Sequence, residues 1–292
     1  MNRNPVFQII GLACLLAAVS LAIWYIPRST YVPLASKGKV LHEETSEFSK
    51  IRIRGDEEKR HMLFVSDGGV EQVQSTIDLN NPGELQVAYT KTLFASLLLK
   101  HPQHRVLLIG LGGGGMVRFV ETHLPDTSIE VVEIDPVVVR LADEFFETRE
   151  SPRVKIHTED AFEFLAREHK PFDAIYLDAF LRPSVDGDPE GKTARLKTVA
   201  FLETMRDQLV DDGVVCCNLI SYRKTTPGDI EALREVFPAV ELFEVPGTGN
   251  LVVIGSKQAG PRSKKEWAKK GELVEKELPV LPFREFIKNR EP

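Results

Sequence analysis

The sequence is poor in cysteine, and this shortage excludes two classes of protein. Only three cysteines occur among the 292 residues, and two of them, Cys216 and Cys217, are adjacent. Adjacent residues of a strand point to opposite faces of a sheet, so this pair does not indicate a disulfide framework. No spacing of cysteine and histidine is typical of a zinc site, so we expect no bound metal.

The sequence also lacks an excess of positive charge, since its formal net charge is -6. Domains whose main role is to hold nucleic acid usually carry a basic face, so we expect no nucleic-acid partner. Hydrophobic residues make up 42% of the chain and charged residues 27%, which is ordinary for a globular protein with a sizeable core. The length allows one large domain, or one domain with a smaller partner.

One long apolar run occurs, at residues 6–26. As a helix these 21 uncharged residues would extend about 31 Å, enough to cross a bilayer core. Trp24 stands near its end, where an aromatic belt would lie. A cleaved signal peptide is the alternative, although its apolar region would be shorter, roughly 7–15 residues. We predict a membrane anchor or signal segment at 1–28 and a linker at 29–41. The positive-inside rule favours a single-pass membrane protein with a cytoplasmic C-terminal domain.

Residues 42–100 have the pattern of a small β subdomain followed by a connecting helix. Polar and apolar residues alternate at 50–54, as in a half-exposed strand. A second apolar run at 62–65 is closed by the turn signal at 67–69. The segment therefore predicts a small N-terminal antiparallel sheet, which must pack on the main domain because it cannot bury much by itself.

From residue 101 onward, apolar strands alternate with amphipathic helices, which indicates a mainly parallel sheet. Seven strands are predicted, at residues 106–109, 129–133, 154–157, 174–177, 214–218, 240–244 and 251–255. No helix separates the last two strands, so they should form an antiparallel pair. The pattern predicts an α/β fold, preceded by one transmembrane helix, and its seven-stranded sheet over 101–257 resembles the methyltransferase-type Rossmann sheet. Residues 258–292 predict a charged C-terminal tail forming a peripheral helix with loose ends.

A glycine-rich loop at residues 110–115 follows the first strand of this sheet and opens a helix. Glycines let the backbone turn sharply and approach a ligand, although such a loop alone could be a tight turn. Glu133 ends the next strand, where a carboxylate can accept the ribose hydroxyls of a nucleoside. Asp160 follows the third strand and could accept the adenine amino group, or could instead cap the next helix. The predicted cofactor-binding residues here are Gly110, Gly112, Gly113, Glu133, Asp160 and Ala161.

Asp178 closes the fourth predicted strand, at the same edge of the sheet. A carboxylate in this place can deprotonate an attacking amine or hold it in line with an electrophilic carbon. An ordinary aspartate at a strand end is the alternative. Together the three acidic strand ends favour an adenosyl-sulfonium ligand over a dinucleotide, and displacement at a sulfonium needs no metal.

These motifs together resemble the spermidine synthase (polyamine aminopropyltransferase) family and its spermidine-synthase-like relatives, over roughly residues 43–257. The resemblance implies that Glu133 binds the ribose, Asp160 binds adenine and Gln72 lies near the nucleoside. It further implies that Asp178 is the catalytic carboxylate, with Tyr89 nearby. The co-substrate would be decarboxylated S-adenosylmethionine or S-adenosylmethionine itself, and the partner a small amine. Family members are often dimers, which makes a homodimer a further expectation.

The sequence departs from the family in the part that should hold the amine. Gly113 stands where the family has an aspartate that anchors the aminopropyl ammonium, and Leu181 stands where it has a second one. Thr90 and Lys91 replace a His-Glu pair, and Lys91 and Arg182 add positive charge that would repel a polyamine. The adenosyl half of the site is therefore intact in the sequence, while the acceptor half is altered.

Three hypotheses follow from this division. The first is an aminopropyltransferase that acts on an amine. The second is a methyltransferase that uses S-adenosylmethionine, because a loop without the aspartate accommodates the carboxylate of that co-substrate. The third is a non-catalytic, membrane-tethered module, against which the retained acidic strand ends argue.

Overall fold

The computed structural model describes residues 37–179 and 196–291. The first four strands are β1 (Lys39–Thr45), β2 (Lys50–Gly55), β3 (Lys59–Val65) and β4 (Glu71–Asp78). They form an antiparallel sheet in chain order, as predicted. Every second residue of β2 is buried, so Ile51 and Ile53 enter the core while Arg52 and Arg54 stay partly exposed. The small sheet therefore presents one apolar face to the rest of the protein.

Seven further strands form the main sheet. They are β5 (Arg105–Ile109), β6 (Ser128–Glu133), β7 (Val154–Thr158), β8 (Phe172–Leu177), β9 (Leu209–Ile220), β10 (Ala239–Glu244) and β11 (Asn250–Ser256). Six of them confirm the predicted bounds to within two residues, and β9 starts five residues before the predicted strand at 214–218. The order of the seven strands is β10-β11-β9-β8-β5-β6-β7. The five strands from β9 to β7 run parallel, whereas β11 is antiparallel to both β9 and β10. The closing antiparallel pair is thus confirmed, and the sheet is mixed.

The helices of the described residues connect and cover these strands. They are α1 (Ala88–Leu93), which continues into a 3-10 helix (Phe94–Leu98), α2 (Gly115–His123), α3 (Pro136–Phe146), α4 (Ala161–Leu165), α5 (Val199–Asp207), α6 (Thr226–Val236), α7 (Lys264–Glu277) and α8 (Phe283–Lys288). Helix α3 begins sharply because the Asp135 side chain accepts a hydrogen bond from the Val137 N–H, and a proline occupies its first position.

Two apolar clusters lie on the two faces of the main sheet. Cys216 belongs to one cluster and Cys217 to the other, and both are buried free thiols. This confirms that the adjacent cysteines point to opposite faces of a strand. The main sheet is therefore covered on both sides, which leaves the carboxyl edge of its parallel strands as the place where a ligand can enter.

The C-terminal tail differs from the prediction of a peripheral helix with loose ends. Helix α7 starts with a capping box between Ser263 and Glu266, and it buries Trp267 against the core. Helix α8 buries Phe283 and Phe286, and a backbone bridge joins the tail to β10. A few aromatic residues are enough to dock the tail because each fully buried large side chain contributes about 1.5–3 kcal/mol.

The structure contradicts the prediction of a single-pass membrane protein with a cytoplasmic catalytic domain. Over residues 37–179 and 196–291 no helix combines the length and the apolar character needed to cross a bilayer. The apolar run on which that prediction was based, residues 6–26, lies outside the described residues.

Candidate active site

A cavity lies at the carboxyl edge of the main sheet, and the N-terminal sheet forms its opposite wall. The strand order reverses between β5 and β8, because the strands β6 and β7 lie on one side of β5 and β8 lies on the other. In open parallel sheets, ligands bind at the carboxyl ends of the strands beside such a switch point. Of the residues predicted from the sequence, those that line the cavity are Tyr89, Gly110, Gly112, Glu133, Asp160, Ala161 and Asp178. Gln72 and Gly113 do not line it.

The glycine loop forms the floor between β5 and α2. Gly110, Gly112 and Gly114 all have a positive φ, a conformation that other residues adopt only with strain. A Cβ atom on Gly110 would lie 2.6 Å from the carbonyl oxygen of Asp178. The loop therefore packs directly on the end of β8, which brings the backbone of the loop and the side chain of Asp178 to one cavity.

Arg118 holds this loop from behind, a role that the sequence did not suggest. Its buried guanidinium donates to the carbonyl oxygens of Gly113 and Phe146 and to the hydroxyl of Thr148. Burial lowers the pKa of Arg118 to about 10, so the group is still charged at neutral pH. The loop is thereby tied to the carboxyl end of α3.

Glu133 braces the loop from the side of β6. One carboxylate oxygen, Oε2, accepts the N–H of Leu111 at 2.8 Å, and Oε1 accepts the N–H of Asp135 at 3.0 Å. Burial raises the pKa of Glu133, while these N–H groups oppose the rise because they stabilise the ionised form. Each oxygen of a carboxylate has a second acceptor site. Glu133 can therefore shape the loop and still accept hydroxyls of a ligand.

Asp160 occupies the cap position of α4. Its Oδ1 accepts the N–H of Phe162 at 2.8 Å, so the capping interpretation of this residue is confirmed. The same side chain lines the cavity, as does Ala161, the first residue of the helix. The cap fixes the direction of the carboxylate at the cavity wall.

Asp178 lies one residue beyond β8 and accepts two side-chain hydrogen bonds. The Tyr89 hydroxyl donates to Oδ2 at 3.1 Å, and Nδ2 of Asn218 donates to Oδ1 at 3.0 Å. Burial raises the pKa of Asp178 from 3.8 to about 7, even though the hydrogen bonds from Asn218 and Tyr89 lower it. Burial and the charge of Asp178 raise the pKa of Tyr89 well above 10, so the phenol is a neutral donor. The carboxyl group can thus exchange a proton near neutral pH, as a general base must.

Asn218 was not predicted as a site residue, although a signal existed. It is the one amide in the buried run at residues 213–219 of β9, near the carboxyl end of that strand. What the sequence did not reveal is that β9 lies beside β8 in the sheet, because strand order cannot be read from strand positions. That adjacency is what places the Asn218 amide on Asp178.

Gln72, which the family resemblance places near the nucleoside, does not line the cavity. Gln72 is exposed on β4, whereas Gln74 and Ser75 line the cavity. The pairing of β3 with β4 shifts in register at this point, so that Met62 pairs with Ser75 but Leu63 pairs with Val73. A bulge of this kind changes which side chains face a ligand.

Gly113 has no room for a side chain. A Cβ atom there would lie 2.7 Å from Cδ1 of Phe146 and 2.9 Å from the Ser75 hydroxyl. The aspartate expected from the family resemblance is therefore absent and also sterically excluded by its neighbours. Lys91 does not line the cavity, and Leu181 and Arg182 lie outside the described residues.

The described lining of the cavity is acidic. Its ionisable residues are Glu133, Asp135, Glu159, Asp160, Asp178 and Tyr89, with no lysine or arginine among the described lining residues. In the same part of the chain, no group of three or more His, Cys, Asp and Glu side chains is placed to hold a metal ion. An acidic cavity favours a ligand that carries positive charge.

Comparison with known proteins gives three findings. The family model described as Spermine/spermidine synthase domain matches residues 86–242. The polyamine aminopropyltransferase of Vibrio vulnificus is 29% identical over 260 residues, which cover 87% of this chain and 80% of that protein. Two solved structures are similar in fold. A probable spermidine synthase from Corynebacterium glutamicum has a TM-score of 0.64 at 22% identity, covering 82% of this chain and 87% of that one. Human methyltransferase-like protein 13, in complex with SAH, has a TM-score of 0.57 at 25% identity, covering 66% and 93%.

Proposed function

Because the chain belongs to the spermine/spermidine synthase family, we propose that it is a transferase that moves an aminopropyl group from an adenosyl-sulfonium co-substrate to an amine. The observation that carries this proposal is the Asp178 carboxyl group, which Tyr89 and Asn218 hold at the wall of the cavity opposite Gln74 and Ser75 on the N-terminal sheet. The relative from Vibrio vulnificus, a polyamine aminopropyltransferase, supports the same reaction.

Some of the cavity residues would bind the adenosyl co-substrate, and Asp178 would take part in the transfer itself. Glu133 would accept the ribose hydroxyls, Asp160 the adenine amino group, and the glycine loop would lie under the arm that carries the sulfonium. The amine nitrogen would attack the carbon next to sulfur, the carbon–sulfur bond would break, and sulfur would leave as a neutral thioether. The proton released from the amine would pass to Asp178. This proton transfer is the only step that requires a base.

The charge of the cavity supports a cationic co-substrate and a basic acceptor. Five carboxyl groups line it in the described residues, and both a sulfonium and an ammonium are attracted by them. The burial that raises the pKa of Asp178 also matters here, because a base with a pKa near the working pH accepts a proton most effectively.

Methyl transfer from S-adenosylmethionine is a second candidate, and one observation favours it. Phe146 and Ser75 fill the space that a side chain at Gly113 would need, so the loop cannot offer an aspartate to an aminopropyl ammonium. Removing that negative charge lowers the repulsion that the carboxylate of S-adenosylmethionine would meet. The human relative, a methyltransferase-like protein solved with SAH, supports the same candidate.

Calorimetric titration of the full chain with three ligands separates the two candidates. Because the carboxyl groups of the lining repel the carboxylate of S-adenosylmethionine, we expect the decarboxylated form to bind at least about tenfold more tightly, a difference of about 1.4 kcal/mol. Methylthioadenosine, which has neither ammonium nor carboxylate, is the control for the adenosyl half. The reverse preference would replace aminopropyl transfer with methyl transfer. A folded chain that binds none of the three would rule out both.

The pH dependence of the reaction should follow Asp178. Since burial raises the pKa of this carboxyl group to about 7, the group is protonated below that pH and cannot accept the proton of the amine. We expect log kcat/KM to rise with a slope of about one up to pH ~7 and then to level off. Steady-state rates measured between about pH 5.5 and 9 at constant ionic strength test this. A profile without an inflection near neutrality would argue against Asp178 as the base.

A further inference from the structure

The Asn218 amide contacts different partners at its two ends. Its Nδ2 donates to Oδ1 of Asp178 at 3.0 Å, and its Oδ1 accepts from Nδ2 of Asn250 at 2.9 Å. Asn218 is only 2% exposed, so water does not compete for either end. The carboxyl group of the site is therefore linked, through one buried amide, to a residue that does not line the cavity.

The sheet and the hairpin turn fix Asn250 in place. In the antiparallel pair of β9 and β11, Asn250 is opposite Ile220 and Asn218 is opposite Val252, so the two asparagines are diagonal neighbours on one face. The backbone N–H of Asn250 donates to the Thr248 hydroxyl at 3.1 Å. That hydroxyl donates in turn to the Val245 carbonyl at 2.9 Å, within the turn between β10 and β11.

We infer that Asn250 is a positioning residue which, by donating to Asn218, keeps the Asn218 amide turned with its N–H towards the Asp178 carboxylate. If the amide turned over, its NH₂ group would face the NH₂ group of Asn250, and its oxygen would face the carboxylate. Both contacts would be repulsive, since each would pair two donors or two acceptors. While Asn250 donates to its oxygen, the Asn218 amide presents its N–H to Asp178.

This orientation favours the ionised form of Asp178. A carboxylate accepts a hydrogen bond, whereas a protonated carboxyl group must also donate one. An Asn218 amide released by the loss of Asn250 could turn and accept that proton, which would stabilise the protonated form. Asn250 thus acts on the proton affinity of Asp178 across two hydrogen bonds.

Other titratable groups surround Asp178, and replacing Asn218 or Asn250 by leucine removes none of them. Tyr89 on α1 contacts the carboxyl group directly. The other carboxyl groups that line the same cavity lie at the end of β6 and just after it, and after β7: they are those of Glu133, Asp135, Glu159 and Asp160. An effect of Asn250 on Asp178 therefore travels through the Asn218 hydrogen bond. The inference rests on the proposed role of Asp178 as the proton acceptor, but it is testable without turnover.

The test is an NMR titration of the full chain labelled with ¹³C at the aspartate side-chain carboxyl. The Asp178 signal is identified by its absence from the Asp178→Asn variant. Hydrogen bonds to charged groups are worth about 1.5–3 kcal/mol, and one pKa unit corresponds to about 1.36 kcal/mol. We expect Asn218→Leu to raise the pKa of Asp178 by about one to two units, and Asn250→Leu by about one unit. Asn250 is only partly buried, so its replacement leaves the core intact.

A double variant distinguishes the amide relay from general loosening. If Asn250 acts through Asn218, adding Asn250→Leu to Asn218→Leu should change the pKa of Asp178 no further. Ser221→Ala is the matched control, because the Ser221 hydroxyl donates to Gly249 of the same hairpin at 3.2 Å without contacting either asparagine. An unchanged pKa in Asn250→Leu, additive shifts in the double variant, or an equal shift in Ser221→Ala would each overturn the inference. Failure of the proposed function would instead appear as retained turnover in Asp178→Asn.

Discussion

The Asp178→Asn variant is expected to lose turnover by about 10³-fold while binding the adenosyl co-substrate with nearly unchanged affinity. Asparagine has the size of aspartate but cannot take a proton from the attacking amine. The amide oxygen can still accept from Asn218, and its NH₂ group can donate to the Tyr89 hydroxyl oxygen, so the cavity keeps its shape. Single-turnover rates, measured with saturating co-substrate, report the chemical step, and calorimetry with methylthioadenosine reports the adenosyl half separately.

Asp173→Asn is the matched control because Asp173 lies on the same strand, β8, near its amino end. Its carboxylate accepts the N–H groups of His104 and Arg105 at 2.8 and 2.9 Å and contacts Lys100, away from the cavity. Asp173→Asn should reduce stability but keep the turnover of the folded protein. If Asp178→Asn keeps more than about a tenth of the parental rate, Asp178 is not the base.

The melting temperature of Asp178→Asn, measured as a function of pH, tests the raised pKa of Asp178 independently of turnover. The pKa of Asp178 is raised in the folded state, so its contribution to stability is fully present below the unfolded pKa, near 3.8, and is lost as pH rises through about 7. Asp178→Asn should therefore melt higher than the parent at about pH 8, and this gain should shrink towards pH 5. A variant that is inactive because it is misfolded would melt at a lower temperature than the parent at both pH values.

Local sequence patterns were sufficient to predict the strands of the main sheet. In β8, six consecutive buried residues lie between a helix and an acidic strand end, and such runs are typical of central parallel strands. The acidic residues at the ends of β6, β7 and β8 could likewise be placed at one edge, because the carboxyl ends of parallel strands share an edge. These two rules together account for Glu133, Asp160 and Asp178.

Contacts between distant segments could not be predicted in this way. Asn218 reaches Asp178 only because β9 is the neighbour of β8, and Asn250 reaches Asn218 only because β11 inserts between β9 and β10. The register shift between β3 and β4, where Gln74 lines the cavity and Gln72 does not, leaves no mark in the alternation of polar and apolar residues. The docking of Trp267 was missed for a related reason, since the charged residues around it conceal a short apolar face.

Glu133→Gln should weaken binding of methylthioadenosine by about 100-fold or more. Both carboxylate oxygens of Glu133 accept backbone N–H groups, from Leu111 at 2.8 Å and from Asp135 at 3.0 Å. An amide in its place must turn an NH₂ group towards one of these donors, which opens the loop and removes the proposed acceptor of one ribose hydroxyl. Charge-assisted hydrogen bonds are worth about 1.5–3 kcal/mol each, and about 1.4 kcal/mol is a factor of ten in affinity.

Glu130→Gln is the control for this variant, because Glu130 lies on the same strand, β6, and contacts Arg105 and His157 outside the cavity. Calorimetry should find its affinity for methylthioadenosine within a factor of about two of the parent. Since methylthioadenosine carries no aminopropyl or carboxylate arm, a loss confined to Glu133→Gln assigns the defect to the adenosyl half of the site. Equal affinities for Glu133→Gln and the parent would show that the ribose is held elsewhere. The part of the glycine loop that remains supported would then be its packing at Gly110 on the backbone of Asp178, which places that carboxyl group at the cavity.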